Sequence, residues 1–249
     1  MSYSALAKYY DSLTQNVDYS ARADYLCKVL QKLGHSAGLT IDLACGTGSL
    51  TLELARRGFD VYGLDASPEM LSEAQQKAAD AERSILFVCQ KMQCMDLYGG
   101  VDTAVCMLDS VNHITSAADL QESFRRIAMF LNPGGYFVFD ANTVYKHRKI
   151  LSNNVFVYDL EDVYCVWQNR CEPRSGLVSV SLDLFEHQGS GMYRRSSEHF
   201  QERAYSEKQL REMLGKAGLR VEGVWADLSF ESPGPETERI IIAASKTKP

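Results

Sequence analysis

The stretch Leu39-Thr-Ile-Asp-Leu-Ala-Cys-Gly-Thr-Gly-Ser49 decides the reading of this 249-residue chain. Its apolar run from Leu39 to Ala44 is short, holds no Pro or Gly and stops at a turn signal, the pattern of a strand buried in a parallel sheet. Gly46 and Gly48 then make a tight turn. Glycine suits a backbone that passes close to a ligand, where a Cβ has no room, and turn positions that need φ > 0. Ser49 to Arg57 continues as a helix whose first N–H groups lack intrahelical partners and would face the crevice, favouring a carboxylate or a phosphate. A second apolar run, Phe59 to Leu64, delivers Asp65 about 20 residues beyond the glycines, the spacing at which an acid takes ribose hydroxyls. A carboxylate only accepts, and it can take two hydroxyl protons. Together these features describe a site for a nucleoside-bearing cofactor.

Two readings compete for it, a dehydrogenase that binds NAD and a methyltransferase that binds S-adenosylmethionine (SAM). A dinucleotide fingerprint wants a third small residue where the helix packs on the strand and the pyrophosphate sits. In Gly46-Thr-Gly48-Ser-Leu-Thr51 a β-branched Thr fills that slot. Asp42, four residues before Gly46, suits a cofactor carrying an ammonium group and would repel a pyrophosphate. Asp42-Leu-Ala-Cys-Gly-Thr-Gly48 closely resembles the first motif of the class I SAM-dependent methyltransferases, and Gly63-Leu-Asp65-Ala-Ser-Pro-Glu-Met70 resembles their second. Tyr9-Tyr-Asp11 followed by Asp18-Tyr19 resembles the N-terminal cap of the small-molecule branch, where aromatic residues close over the methionine end of the cofactor. The segments Phe87 to Met95, Val101 to His113, Leu131-Asn-Pro-Gly-Gly135 and Ala204 to Leu210 fall at the family's later landmarks.

The resemblance implies an α/β fold, a doubly wound and mostly parallel seven-stranded sheet with an antiparallel last strand. It implies SAM as cofactor and transfer of a methyl group to N or O of a small-molecule acceptor. It assigns the backbone cradle to Ala44, Cys45, Gly46 and Gly48, the ribose to Asp65 with Ala66 and Met70 beside it, and the methionine end to Asp42, with Tyr10 and Tyr19 closing over. Lys91 and Met92 fall at the adenine, and Leu108 and Asp109 at the end of the fourth strand. Lys91 departs from the family pattern, which commonly has an Asp there accepting from the adenine amino group. A Lys only donates, so adenine recognition passes to the backbone, to a neighbour such as Gln90 or Gln93, or away from that edge. Methyl transfer from a sulfonium is an in-line displacement governed by positioning and exclusion of water, with no metal expected. Where the acceptor must lose a proton, His113 is the first candidate base and His199, with Glu198 beside it, the second.

Composition fits an ordinary soluble enzyme. With 45% hydrophobic residues the chain can bury one large α/β core, or one core plus a small accessory sheet. A net charge of -6 argues against nucleic acid, because neutralising phosphates takes clustered Lys and Arg, and basic runs such as Arg194-Arg195 and Lys146-His-Arg-Lys149 are short. Seven cysteines without a C-x-x-C pair read as reduced, mostly buried thiols of a cytoplasmic protein. No apolar stretch approaches the roughly 18 residues of a membrane span, and Met1-Ser-Tyr-Ser4 has no charged leader. An RNA methyltransferase, or a protein that binds SAM without turnover and acts through a partner, are the remaining alternatives.

Along the chain, helix and strand alternate. Ala21 to Leu33 reads as a helix closed by Gly34, Ser67-Pro68 starts another, and Ala118 to Leu131 is amphipathic with Leu120, Phe124, Ile127 and Leu131 inward. Strands are expected at Ile85 to Val88, Val101 to Leu108 and Tyr136 to Asp140. From Val155 to Phe200 the chain turns to Val, Tyr, Phe and Trp, with alternation in Leu177 to Phe185 and turns at Arg174-Ser-Gly176 and Gly189-Ser-Gly191, which predicts a three-stranded antiparallel insert. Ser206-Glu-Lys-Gln209 is a capping box for a helix ending at Gly218, before a terminal hairpin of Arg220 to Ala226 and Arg239 to Ala244. The chain thus reads as a single domain over 1–249, with a cap at 1–19, a cofactor core at 20–150 and 201–249, and an insert at 151–200. The insert, carrying Tyr158, Tyr164, Trp167 and Tyr193, is expected to roof the substrate or to form a homodimer contact.

Overall fold

The computed structural model describes residues 6–172 and 175–247. Arg174 of the predicted turn and the first five residues of the predicted cap lie outside them. The N-terminal half runs α1 (Tyr10–Leu13), α2 (Tyr19–Lys32), β1 (Leu39–Leu43), α3 (Ser49–Arg56), β2 (Asp60–Asp65), α4 (Pro68–Asp80), β3 (Phe87–Cys89), β4 (Val101–Cys106), α5 (Ala117–Phe130) and β5 (Leu131–Asn142). After a single π-helical turn at Lys146–Leu151 come β6 (Val155–Asp159), β7 (Val163–Glu172), β8 (Leu177–His187) and β9 (Tyr193–Arg203). The chain then closes with α6 (Glu207–Lys216), β10 (Leu219–Ala226) and β11 (Arg239–Lys246).

Seven strands form one sheet in the order β10-β11-β5-β4-β1-β2-β3. β1 lies between β2 and β4, parallel to both, and β11 runs antiparallel to its neighbours β5 and β10, as the resemblance implies. Strand periodicity explains the two faces. Ile41, Leu43, Ala104, Phe137, Phe139, Ile240 and Ile242 point toward α5 and α6, while Val105, Val138, Ile241 and Ala243 point toward α2 and α3. A strand covered on both faces reads as a continuous apolar run, and Ile240-Ile-Ile-Ala-Ala244 is one. Phe124 of α5 meets Phe137 and Phe139 with ring centroids 5.9 and 5.5 Å apart, and those two rings stack at 4.7 Å.

Helix starts follow their caps. The Asp18 carboxylate accepts from Ala21 N–H, Ser67 from Met70 N–H ahead of Pro68, Ser116 from Asp119 N–H, and Ser206 and Gln209 complete the capping box of α6. β5 is longer than the sequence predicts. It begins at Leu131, pairing with Val101, and the register shifts before Thr103 meets Tyr136, so Pro133-Gly-Gly135 is absorbed as an irregularity of the strand.

Asp42 points away from the apolar face of β1 and is 2% exposed. Its carboxylate accepts from Thr51 Oγ1 of α3 at 2.6 Å, so the acid that the sequence assigns to the methionine end of a cofactor is a strut between strand and helix. Burial, reinforced by the nearby Asp65 and opposed by the Thr51 hydrogen bond, pushes its carboxyl up to about 7.

The insert has four antiparallel strands in the order β6-β7-β8-β9, one more than predicted. The segment from Val155 to Glu172 has no Gly or Pro, yet it folds back at Leu160-Glu-Asp162, pairing Val155 with Gln168 and Asp159 with Tyr164. One face of the insert buries Val163, Cys165, Val178, Val180, Leu182, Leu184 and Phe200 against Leu6, Tyr9 and Leu13. The N-terminal segment is therefore part of the core of the insert. All seven cysteines are free, but only Cys106 and Cys165 are buried and Cys89 and Cys94 are exposed, against the expectation of mostly buried thiols. Among the described residues no helix is long and apolar enough to cross a membrane.

Two outcomes test this packing. Phe137→Ala should lower unfolding stability by about 3–5 kcal/mol in denaturant titration, the cost of emptying a large buried site. Asp42 should contribute stability below the unfolded carboxyl pKa near 4, lost as pH rises toward 7, because the native state holds the proton that the unfolded chain releases. Relative to wild type, Asp42→Asn should therefore gain on the order of 2 kcal/mol between pH 5 and pH 8, and a constant difference would remove Asp42 from that role.

Candidate cofactor and acceptor site

A cavity of about 540 Å³ opens at the carboxyl ends of β1, β2, β3 and β4, between the sheet, the N-terminal segment and the insert. This is where ligands bind in open α/β sheets. Its two ends differ in chemistry.

At the first end, the turn after β1 contributes Ala44 and Gly46, both with positive φ (53° and 55°). A Cβ on Gly46 would meet nothing within 4 Å, so this glycine leaves open space on the cavity side. Gly48 answers to a different constraint: its Cβ would lie 2.9 Å from Ala74 Cβ and 3.2 Å from the Phe87 ring, so it lets α3 pack against α4 and β3. Asp65, at the end of β2, accepts from Gly46 N–H at 2.9 Å through Oδ2 and from Ser67 N–H at 2.8 Å through Oδ1. Burial raises its pKa against those two backbone bonds. Each oxygen has a lone pair left, so two ribose hydroxyls can still be accepted. Ala66, Met70, Lys91 and Met92 line the same end. Gln90 also lines it, but both ends of its amide are tied to the main chain of Asp96, which leaves Gln93 as the neighbouring amide on the cavity. Apolar walls, an open glycine and an acid with spare lone pairs fit an adenosyl group.

At the second end, Leu108 and Asp109 are consecutive non-glycine residues in the left-handed region (φ 59° and 52°), a conformation costing about 1–3 kcal/mol each. The Asp140 carboxylate holds them by accepting from Leu108 N–H at 2.9 Å and Asp109 N–H at 2.5 Å. Arg239 lies 2.9 Å from Asp140 and donates to Asp109 Oδ1 at 2.6 Å, and Arg22 grips Asp227 through two bonds while standing 3.7 Å from Asp140. Burial works against the Asp109 carboxylate, but Arg239 and then His113 outweigh it and hold its pKa below the ordinary carboxylate range. For Asp140 burial wins and the pKa rises.

The strained turn sets His113 over the cavity, with its ring centroid 5.2 Å from that of Phe200. Its Nε2 stands 3.9 Å from Asp109 Oδ2 and 3.8 Å from Glu202 Oε1. Glu202 is 4% exposed, and its other oxygen meets Nε2 of His147, itself 1% exposed, at 3.0 Å. Asp109, His113 and Glu202 form a group whose polar atoms lie within 4.8 Å of one another. Trp167, Leu182 and Phe200 of the insert and Leu6, Tyr10 and Leu13 of the N-terminal segment complete the walls.

Of the sequence-predicted residues, Tyr10, Ala44, Gly46, Asp65, Ala66, Met70, Lys91, Met92, Leu108, Asp109 and His113 line the cavity. Tyr19, Asp42, Cys45 and Gly48 are not among its lining residues; Tyr19 turns its hydroxyl toward Thr14 Oγ1 at 3.4 Å. His199 is misplaced by the sequence reading: it is exposed on the outer face of the insert, 3.0 Å from Ser181 Oγ. Of the four insert aromatics only Trp167 lines the cavity. Glu202, His147, Asp140 and Arg239 were missed. The signal for Glu202 lay in β8, where Val178, Val180, Leu182 and Leu184 mark the inward face and pair with β9 residues of the same parity as Glu202, with Val178 opposite it.

A family model described as a methyltransferase domain matches residues 40–135. The chain is 31% identical over 249 residues to the putative methyltransferase YqeM of Bacillus subtilis, covering 100% of this chain and 98% of that one. It is 32% identical to a SAM-dependent methyltransferase of Clostridium acetobutylicum whose crystal structure superposes with a TM-score of 0.88, covering 98% of this chain and 99% of the other. A glycine/sarcosine N-methyltransferase of Parasynechococcus marenigrum is 28% identical over 131 residues, which is 50% of this chain and 45% of that protein. Agreement of sequence and architecture from end to end places the protein in the class I SAM-dependent methyltransferase superfamily, as an enzyme whose cofactor is SAM.

Proposed function

We propose that the enzyme transfers the methyl group to N or O of a small-molecule acceptor, with the adenosyl part of SAM in the Asp65 half of the cavity and the acceptor in the His113 half. The observation that carries this reading is that one cavity runs from Asp65 to His113 under a roof made by Trp167, Leu182 and Phe200. SAM supplies an electrophilic methyl carbon when bound. The protein's own task is to hold two partners in line, keep water out and take a proton.

In this reading Asp65 accepts from the ribose hydroxyls, Gly46 gives the backbone room, Met70 and Met92 pack on the adenine, and Tyr10 closes over the cofactor. Asp42, Cys45 and Gly48 support from behind the loop. His113 is the base. Residues 6–19 act as the cap, the seven-stranded sheet as the cofactor core, and the four-stranded insert as the acceptor roof. A cavity of about 540 Å³ under the insert favours a small acceptor over a polymer, as does the net charge of -6. A relative that matches half the chain and is named for glycine and sarcosine points the same way.

Asp65→Ala should weaken SAM binding by about 1–3 kcal/mol in isothermal titration calorimetry, the range for losing hydrogen bonds to a charged group. Unchanged affinity would take Asp65 out of the cofactor site. In thermal-shift measurements SAM should raise the melting temperature and NAD should not.

A further inference from the structure

We infer that the acceptor is an amine that arrives as its ammonium ion and sits on a tripod made by Asp109, His113 and Glu202. This rests on the methyltransferase reading above and deepens it by naming the substrate class.

The geometry of the tripod carries the inference. His113 Nε2 is 3.9 Å from Asp109 Oδ2 and 3.8 Å from Glu202 Oε1, beyond hydrogen-bonding distance, so these atoms converge without bonding one another. Each carboxylate is also clamped by its other oxygen, Asp109 Oδ1 by Arg239 Nη2 at 2.6 Å and Glu202 Oε2 by His147 Nε2 at 3.0 Å. The clamps turn the second oxygen of each acid toward His113. His147 is in turn fixed by its Nδ1, 3.1 Å from the carbonyl of Thr143. With His113 Nε2 unprotonated, three acceptors face one point.

A point of that kind calls for a ligand atom with several hydrogens. An ammonium nitrogen carries three donors, and at charge-assisted lengths of about 2.8 Å its acceptors stand roughly 4.6 Å apart. A zinc-like ion bonded at about 2.0–2.2 Å would draw its ligands to roughly 3–3.5 Å, closer than either separation measured at His113. The separations at His113, 3.9 and 3.8 Å, lie between the two spacings, so it is the donor count and the charge that select an ammonium. A hydroxyl has one donor and would leave two acceptors unmatched. A carboxylate or phosphate would face Asp109 and Glu202 directly. The cations nearby do not reverse this: Arg239 is engaged by Asp109 and Asp140, and Lys146 is half-buried, with Arg239, Asp109, Glu238 and Asp140 around it. Above the tripod, Leu6, Leu13, Leu182, Trp167 and Phe200 offer apolar and aromatic surface, which suits an amine with an apolar body and adds ring faces for the cation.

The same atoms serve the reaction. His113 Nε2 takes one proton from the ammonium and becomes an imidazolium flanked by two carboxylates. The amine lone pair forms the N–C bond to the methyl carbon as the S–C bond breaks and its electron pair stays on sulfur. The product is a methylammonium ion, which the same carboxylates match, and His113 returns its proton to solvent.

Benzylamine, benzyl alcohol and benzoate share a ring and differ in the polar group, so they probe the site in the full-length protein saturated with S-adenosylhomocysteine. Calorimetry at pH 7.5 should show benzylamine binding about tenfold or more tighter than benzyl alcohol, with benzoate weakest. Glu202→Gln should shrink that preference to about threefold or less while S-adenosylhomocysteine affinity, the check on folding, stays within about twofold of wild type. Equal binding of the three probes, a preference for benzoate, or no binding by any of them overturns the inference. So does one Mn²⁺ or Zn²⁺ bound per chain and lost in Glu202→Gln without any preference for the amine. Failure of S-adenosylhomocysteine itself to bind would sink the methyltransferase reading, whereas its binding without amine preference sinks only the tripod.

Discussion

Both halves of the cavity depend on carboxylates that accept main-chain N–H groups at strand ends. Asp65 closes β2 by taking Gly46 N–H from the turn after β1 and Ser67 N–H from its own loop, so it locks two successive βα turns together. Asp140 of β5 does the same for Leu108 and Asp109 after β4, and there the bonds hold a backbone that would relax without them. Asp140 is out of water and Asp65 is half-buried, and burial raises the pKa of both. The difference is in the counter-charge. Asp140 has Arg239 and Arg22 beside it, whereas Asp65 is held chiefly by backbone dipoles, which leaves its lone pairs available on the cavity side.

The same contrast explains what was legible in the sequence. The parallel sheet was readable because its signal is local: apolar runs of strand length ending in glycine turns, and helix starts with their own caps at Ser67, Ser116 and Ser206. Asp65 and Gly46 line the cavity where the sequence places them, because the first βα turn keeps the relevant spacing within one short segment. Asp42 misled because an acid in a strand says nothing about which face it takes. β1 turns Ile41 and Leu43 toward α5, so Asp42 falls under α3, where Thr51 satisfies it. The Thr that argued against a dinucleotide is thus the partner of the acid that argued with it.

The acceptor end was less legible because its parts are far apart in sequence. Asp109, His113, Asp140, His147, Glu202 and Arg239 span 130 residues and meet only when β11 inserts beside β5 and β9 returns from the insert. His199 and Glu202 sit three apart on one strand and so face opposite sides; picking between them needed the β8–β9 register, which brings Glu202 opposite buried Val178 and His199 opposite partly exposed Ser181. The hidden hairpin at Leu160-Glu-Asp162 added to the difficulty, since a segment read as one strand shifts the count of everything after it.

The N-terminal segment connects the two halves. Leu6, Tyr9 and Leu13 belong to the core of the insert, and the Tyr9 hydroxyl donates to Glu186 of β8, which also pairs with Lys8. Asp11 faces the other way, accepting from Thr47 Oγ1 at 2.7 Å and Ser49 Oγ at 3.2 Å at the start of α3 and pairing with Lys77 of α4. The contacts to the insert include a buried apolar set, while those to the glycine turn are polar and partly exposed, where solvent competes. Any opening of the cavity therefore has its weaker seam at Asp11. Residues 6–13 are held more firmly to the insert than to the glycine turn, because separating them from the insert would expose Leu6, Tyr9 and Leu13 to water.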